Sequence, residues 1–284
     1  MYTIVQKREL NPTVTLMEIK APFIAAKAQP GQFVILRAGE DDERVPFAIA
    51  KYNRVAGTVS IIFRAVGATT EKLNRLREGD SVTDIVGPLG MITKTHGVKK
   101  ACIVAGGVAS AIALPIVRKL HEQDAEVTLI VGFRSKENFM LLDEFRDSSD
   151  RLYAMTDDGS YGLYGSVSVQ LQKLFDEGER FDLVFTVGPL TMMKNVVETV
   201  RPTGIPCTVS MNPIMIDGTG MCGGCRITLH RDGRDVTSFA CVEGPEYNGY
   251  EVDFDEAICR GNMYRREERL AREATCNLYK KAVD

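Results

Sequence analysis

The hydrophobic pattern of this chain changes period once, near Lys99, and no single layer of secondary structure accommodates both halves. Up to residue 90, short alternating or β-branched runs at 2–6, 14–20, 32–37, 46–50, 58–63 and 81–85 are broken by Pro12, Pro30-Gly31, Gly39 and Gly57. Strands of this length and spacing predict a closed antiparallel barrel, with the turn residues fixing or freeing φ where the chain reverses. One stretch, 69–77, places Leu73 and Leu76 three apart and predicts a short helix capped by Thr69 or Thr70.

Beyond Lys99, strands at 101–105, 127–132, 152–156, 183–187 and 207–211 alternate with helices at 109–120, near 139–145, 167–175 and 191–200. That alternation predicts crossover units and a parallel sheet, whose ligands bind at the carboxyl ends of the strands. At 284 residues the chain suits two or three cores, and the pattern divides it at 1–95, 96–210 and 211–284. The last part ends in a helix at 263–283, whose Arg-Arg-Glu-Glu-Arg run reads as a solvated face, with a partner surface as the other reading.

Composition narrows the function. A net charge of −3 argues against a nucleic-acid binder, which needs a clustered positive face. No apolar stretch approaches the ~20 residues of a membrane span, and the first residues alternate like a strand without a secretory h-region. A cytoplasmic protein is expected, and there seven cysteines point to metal or redox chemistry before disulfides.

Three strand ends carry candidate ligand contacts. Gly106-Gly107-Val108-Ala109 lets backbone amides approach a pyrophosphate, although it is not the G-x-G-x-x-G fingerprint. Thr156-Asp157-Asp158-Gly159-Ser160 and Gly188-Pro189-Leu190 close the third and fourth strands. Each alone reads as turn chemistry; three in register predict a nucleotide cleft. After the second strand no acid awaits an NAD ribose, while Arg134 and Lys136 suit a 2′-phosphate or simply solvent, so NAD and NADP both stay open. In the barrel, Glu43-Arg44-Val45-Pro46-Phe47-Ala48-Ile49-Ala50 and Val66-Gly67-Ala68-Thr69-Thr70 read as a strand entrance and an N-cap, or as a ligand strand and a pyrophosphate cradle.

The cysteines are the sharpest signal. Asp217, Cys222, Cys225 and Cys241 have the spacing D-x4-C-x2-C-x15-C, which becomes the C-x4-C-x2-C run of a plant-type [2Fe–2S] protein if Asp217 is read as cysteine. Gly218, Gly220, Gly223 and Gly224 suit a loop wrapped tightly around sulfides. A zinc site on Cys222, Cys225, Cys241 and one further ligand fits the same C-x2-C spacing. Asp217 also reads as a cap or an outer hydrogen-bond acceptor, with Cys259 or Cys207 completing the set. Cys102 and Cys207 lie in apolar strands as small hydrophobes, and Cys276 lies in the tail helix.

Barrel, nucleotide sheet and cysteine segment in this order resemble the ferredoxin–NADP reductase superfamily, in the branch of dihydroorotate dehydrogenase electron-transfer subunits and sulfide dehydrogenase β subunits. Within it the chain is most similar to the small subunits of electron-bifurcating NADH-dependent reduced ferredoxin:NADP oxidoreductases. These share aspartate at the position of Asp217, where the dihydroorotate type has cysteine. The resemblance implies FAD along Arg44, Pro46, Phe47, Ala48 and Ile49, with its pyrophosphate at Gly67, Thr69 and Thr70. It implies NAD(H), with NADP(H) as the alternative, over Gly106, Gly107, Val108, Ala109, Arg134, Asp157, Asp158, Gly188 and Pro189. It further implies a [2Fe–2S] cluster on Asp217, Cys222, Cys225 and Cys241, and a larger flavin and iron–sulfur subunit as heterodimer partner. Hydride exchange with flavin needs no protein acid or base. One departure is visible: the superfamily's R-x-Y-[ST] places arginine at 45 and Ser or Thr at 48, where this chain has Val45 and Ala48. Two alternatives remain, the same module in a dihydroorotate or sulfide dehydrogenase and a zinc-stabilised binding module without redox chemistry.

Overall fold

A computed structural model describes residues 1–281; the side chains from 275 onward, Cys276 among them, and the last two residues of the expected tail helix lie outside the described residues. The first part comprises β1 (Tyr2–Asn11), β2 (Val14–Lys20), α1 (Pro22–Lys27), β3 (Phe33–Arg37), β4 (Val45–Ala48), β5 (Lys51–Asn53), β6 (Thr58–Arg64), α2 (Ala68–Arg75), β7 (Ser81–Val82) and β8 (Asp84–Leu89). These strands form two antiparallel sheets, ordered β5-β6-β2-β1-β7 and β4-β3-β8.

The sheets meet at two corners. Between β4 and β5, the Ile49 N–H bonds the Gln32 carbonyl and the Ala50 N–H bonds the Ser60 carbonyl. Between β7 and β8, the Thr83 N–H bonds the Arg37 carbonyl. The expected barrel therefore closes through strands that bend from one sheet into the other, aided by register shifts in β1 and in the β3–β8 pair. Its core follows the period of two: Met17 and Ile19, Val34 and Leu36, Phe47 and Ile49, and Val59, Ile61 and Phe63.

The second part runs β9 (Lys100–Gly106), α3 (Ser110–His121), β10 (Glu126–Phe133), α4 (Leu142–Ser148), β11 (Arg151–Thr156), β12 (Leu163–Tyr164), α5 (Val167–Asp176), β13 (Leu183–Val187), α6 (Leu190–Val200) and β14 (Cys207–Ser210). Then follow β15 (Arg226–Arg231), β16 (Arg234–Phe239), β17 (Glu246–Asn248), α7 (Phe254–Gly261) and α8 (Arg265–Lys281). One sheet has the order β12-β11-β10-β9-β13-β14-β17 and is parallel except for β17. Ala101, Ile103 and Ala105 of β9 face a core shared with α3 and α4, while Cys102 and Val104 face one shared with α5 and α6. A strand buried on both faces reads as a continuous apolar run, as 101–105 does. Cys102 and Cys207 behave as small core hydrophobes, and burial pushes the Cys207 thiol up to about 12.

The cysteine segment is bound to both earlier parts. Strand β17 pairs antiparallel with β14, with Ser210 opposite Glu246 and Thr208 opposite Asn248. Towards the barrel, the Met91 N–H bonds the Gly244 carbonyl at 2.7 Å, and Thr93 Oγ1 donates to Glu246 Oε1 at 2.6 Å. Burial at this junction pushes the Glu246 carboxyl up to about 7. A carboxyl raised from 4.5 in the unfolded chain to about 7 in the folded one costs stability as pH rises between those values. Glu246→Gln keeps an acceptor for Thr93 and removes that cost. Chemical denaturation is therefore expected to show the variant more stable than wild type by about 3 kcal/mol at pH 8, with the gap closing towards pH 4.

Candidate functional site

The sheet brings the expected strand ends to one edge. Gly106 pairs with Gly132, Phe133 with Thr156, and Ala105 with Val187, so the turns at 106–109, 134–136, 157–160 and 188–190 line the carboxyl edge together. Strand order reverses between β9 and β13, where such sheets bind their ligands. Gly106 and Gly188 flank this switch point. A Cβ on Gly106 would lie 3.2 Å from Pro189 Cδ and within 2.5 Å of Met192 Sδ, and one on Gly188 would lie 2.6 Å from Met192 Cε. Both glycines thus admit α6 close over the strand ends. Gly107 has φ +57° and opens onto free space, and Val108 and Ala109 follow it, half-buried, before α3.

Arg134, Asp157 and Asp158 are exposed. The Asp158 N–H bonds the Arg134 carbonyl at 3.2 Å, joining the two turns. The Asp158 carboxylate accepts from Ser160 Oγ and N–H, which hold it below the usual carboxylate range. Asp158 is therefore engaged in its own turn, while Arg134 and Asp157 stand at the edge. Sequence reasoning missed an aromatic row beside them. The rings of Phe133 and Phe139 are 4.4 Å apart and those of Phe139 and Tyr161 5.0 Å. The helix expected near 139–145 begins only at Leu142, so Phe139 lies ahead of it.

On the barrel, β4 alternates. Phe47 and Ile49 point into the core, whereas Pro46 and Ala48 are half-buried and Arg44 is exposed on the other side. Towards an outer ligand, Phe47 and Ile49 have only backbone to offer. Helix α2 starts one residue earlier than expected, with Gly67 as N-cap. Thr70 caps it from inside the first turn: its Oγ1 accepts the N–H groups of Val66 and Gly67, each at 3.0 Å. The first helical bond runs from Glu71 N–H to the Gly67 carbonyl, so the N–H groups of residues 68–70 precede it and face the helix end. Thr69 Oγ1 lies 3.2 Å from Glu43 Oε2.

The β15–β16 hairpin positions two cysteines. Ala240 N–H bonds the Cys225 carbonyl across it, and the buried Cys225 and Cys241 sulfurs lie 3.1 Å apart. Burial and Cys225 push the Cys241 thiol up to about 12. Cys222 is exposed, and its Sγ accepts the Gly224 N–H at 3.4 Å. Asp217 is half-buried: one oxygen accepts the Thr219 N–H at 3.0 Å, the other the Cys222 N–H at 2.9 Å. These N–H groups hold its carboxyl below the usual range. Gly218, at φ +79°, presses on the barrel, and a Cβ there would lie 2.7 Å from Leu89 and 2.9 Å from Ile35. The loop therefore rests on β3 and β8, beside β4.

The donor set fits an iron–sulfur cluster, with three thiols and one carboxylate on a loop whose Gly218, Gly220 and Gly223 have positive φ. The donors pair off, Cys225 beside Cys241 and Asp217 bonded to the Cys222 backbone. Among the described residues no three His, Cys, Asp or Glu side chains converge where a single metal ion would sit. Of the alternative donors, Cys207 is buried in β14 and Cys259 is exposed on α7.

Comparison with known proteins follows the same division. Residues 212–253 match the iron–sulfur cluster binding domain of dihydroorotate dehydrogenase B. The chain is 43% identical over 276 residues to an uncharacterized protein of Clostridium beijerinckii, covering 94% of this chain and 92% of that one. It is 40% identical over 270 residues to a dihydroorotate dehydrogenase B (NAD(+)) electron transfer subunit homolog of Thermotoga maritima, covering 95% and 94%. A solved structure of NADH-dependent reduced ferredoxin-NADP oxidoreductase, described for its insights into flavin-based electron bifurcation, superposes with a TM-score of 0.89. The identity is 39%, over 96% of this chain and 97% of that chain.

The α2 cap yields a direct test. Thr70→Val removes the acceptor for two N–H groups at nearly constant volume and should lower stability by about 1 kcal/mol, read by thermal or urea denaturation.

Proposed function

The chain belongs to the family of dihydroorotate dehydrogenase B electron transfer subunits and their homologues, and on that premise we propose that it exchanges hydride with NAD(H) via FAD. It then passes single electrons through a [2Fe–2S] cluster to a larger flavin and iron–sulfur subunit, as the small subunit of an NADH-dependent reduced ferredoxin:NADP oxidoreductase. We divide it into an FAD barrel at 1–95, an NAD-binding sheet at 96–210 and a cluster segment with a helical tail at 211–284. One observation carries the reading: the paired Cys225 and Cys241 sulfurs beneath the Asp217–Cys222 loop, held against the barrel by Gly218. The match of residues 212–253 to an iron–sulfur domain removes the support for a zinc-stabilised module.

When bound, FAD supplies hydride chemistry and the cluster one-electron chemistry. The protein binds and orients. On this reading Arg44, Pro46 and Ala48, with the backbone of Phe47 and Ile49, line a flavin, and the amides after Gly67, with Thr69, bind its pyrophosphate. Gly106, Gly107, Val108, Ala109, Gly188 and Pro189 form the floor for a dinucleotide at the switch point, with Arg134, Asp157 and Asp158 at its rim. NAD(H) is favoured over NADP(H) because the name of the Thermotoga maritima relative specifies NAD(+), while that of the solved structure carries both NADH and NADP. Asp217, Cys222, Cys225 and Cys241 are the proposed ligands. Among the described residues no helix is long and apolar enough to cross a membrane, and a cluster-binding use of the cysteines suits the cytoplasm, where thiols are kept reduced.

The Thermotoga maritima relative favours a second reading, an electron-transfer subunit of a dihydroorotate dehydrogenase. NADPH-linked ferredoxin turnover by the purified complex supports the first reading, and dihydroorotate oxidation without it supports the second. The protein alone is expected to show flavin and cluster absorption bands, with iron and sulfide in equal amounts. A colourless, zinc-containing protein would sink both readings. Cys222→Ala removes an exposed side chain, so it should fold and lose the cluster bands; an intact cluster refutes that ligand. Asp217→Cys should keep a cluster with an altered potential.

A further inference from the structure

Arg260 stands at the end of α7, beyond the segment that matches the cluster-binding domain. Its Nη2 donates to the Gly224 carbonyl at 3.3 Å, between Cys222 and Cys225. The same glycine gives its own N–H to Cys222 Sγ at 3.4 Å. Gly224 is thus held from both sides, by a guanidinium on its carbonyl and by a cysteine sulfur on its amide. The Gly224 carbonyl and the Cys225 N–H belong to one peptide unit, so a charged donor on the carbonyl makes that N–H a stronger donor in turn.

The platform for this contact is firm. Asp253 caps α7 by accepting the Glu256 N–H at 2.9 Å, and Phe254 is buried. Lys194 of α6 pairs with Asp255 at 2.8 Å, and the His230 N–H of β15 bonds the Glu251 carbonyl at 2.7 Å. The Arg260 side chain is 23% exposed, and its nearest carboxylate among the described residues, Glu256, lies 3.9 Å away, too far for a tight pair. A guanidinium is charged at all accessible pH values. It therefore presents a fixed, partly desolvated positive charge to a loop whose other donors are acidic.

We propose that Arg260 is a positioning residue for the cluster: it ties the Cys222–Cys225 loop to α7 and raises the reduction potential by favouring the more negative, reduced state. The proposal rests on the cluster reading above. Two physical effects act in the same direction, the Coulomb attraction of the guanidinium and the strengthened N–H donation at Cys225.

The test is an anaerobic redox titration of the full chain followed by electron paramagnetic resonance, with iron and sulfide measured in parallel. Arg260→Gln should retain the cluster while its midpoint moves to more negative potential and its g-values change. Arg260→Lys, which keeps the charge, should recover most of the midpoint. Glu256→Gln, which removes the partly compensating carboxylate, should move it the other way. A wild-type midpoint and spectrum in Arg260→Gln overturn the proposal. If that variant assembles no cluster, an unmoved midpoint in Glu256→Gln overturns it instead. Wild-type protein without iron and sulfide overturns the cluster reading itself, a result distinct from either of these.

Discussion

The antiparallel pairing of β17 with β14 is the constraint on which the arrangement of the sites depends. A parallel sheet built from crossover units could end at β14, leaving the residues beyond it to find their own place. Here the chain leaves β14, makes the whole cysteine excursion and returns to the same edge. Both ends are clamped: the Met211 N–H bonds the Pro245 carbonyl at 2.8 Å, and the Gly249 N–H bonds the Cys207 carbonyl at 2.7 Å. Closing so long a loop costs entropy that grows only slowly with its length, so a short ladder suffices to hold it. The bonds from Met91 to Gly244 and from Thr93 to Glu246 then fix the same segment to the barrel, and the three parts share one junction.

That junction explains why the candidate sites lie near one another. Strand β3 faces inward with Val34 and Leu36, and outward with Phe33 and Ile35 into the core that also contains Cys225 and Cys241. Its neighbour β4 carries the proposed flavin contacts, so the proposed flavin strand pairs directly with a strand whose outer face enters the cysteine core. Spacing of this kind is set by the ~4.8 Å between paired strands rather than by any flexible side chain.

Much of this was legible in the sequence, and the exceptions have physical causes. The expected bounds of β2 and β13 match the observed strands to the last residue because turns bound their apolar runs. The three residues of β17 have no period to read, and only the tertiary ladder makes them a strand. α4 begins late because Leu141 adopts φ +58°, a conformation a leucine gives no signal for. For Phe47 and Ile49 the signal was present: in a strand, alternate residues cannot share a face, so a list of consecutive ligand residues had to include two core side chains. Arg260 was invisible, because an arginine on a polar helix acquires meaning only from the carbonyl it meets.

The proposed ligand set also shows how charge can be held constant while its environment changes. Aspartate and thiolate carry the same charge, so Asp217 in place of a cysteine leaves the net charge of the site unaltered and makes one bond harder and less covalent. What differs is preparation. The Thr219 and Cys222 N–H groups already hold the Asp217 carboxyl ionised and oriented, whereas a thiol at that position would have to surrender a proton first. The same N–H from Cys222 links the carboxylate to the neighbouring proposed ligand, so moving one moves the other. On the far side of the loop, Arg260 fixes the peptide between Cys222 and Cys225. The loop is thus held at both ends by hydrogen bonds to charged groups, an anion accepting at one end and a cation donating at the other. At equal geometry such bonds are stronger than neutral ones; the Asp217 end is the tighter at 2.9 Å and the Arg260 end the longer at 3.3 Å, and together they restrain a glycine-rich segment whose backbone alone lacks rigidity.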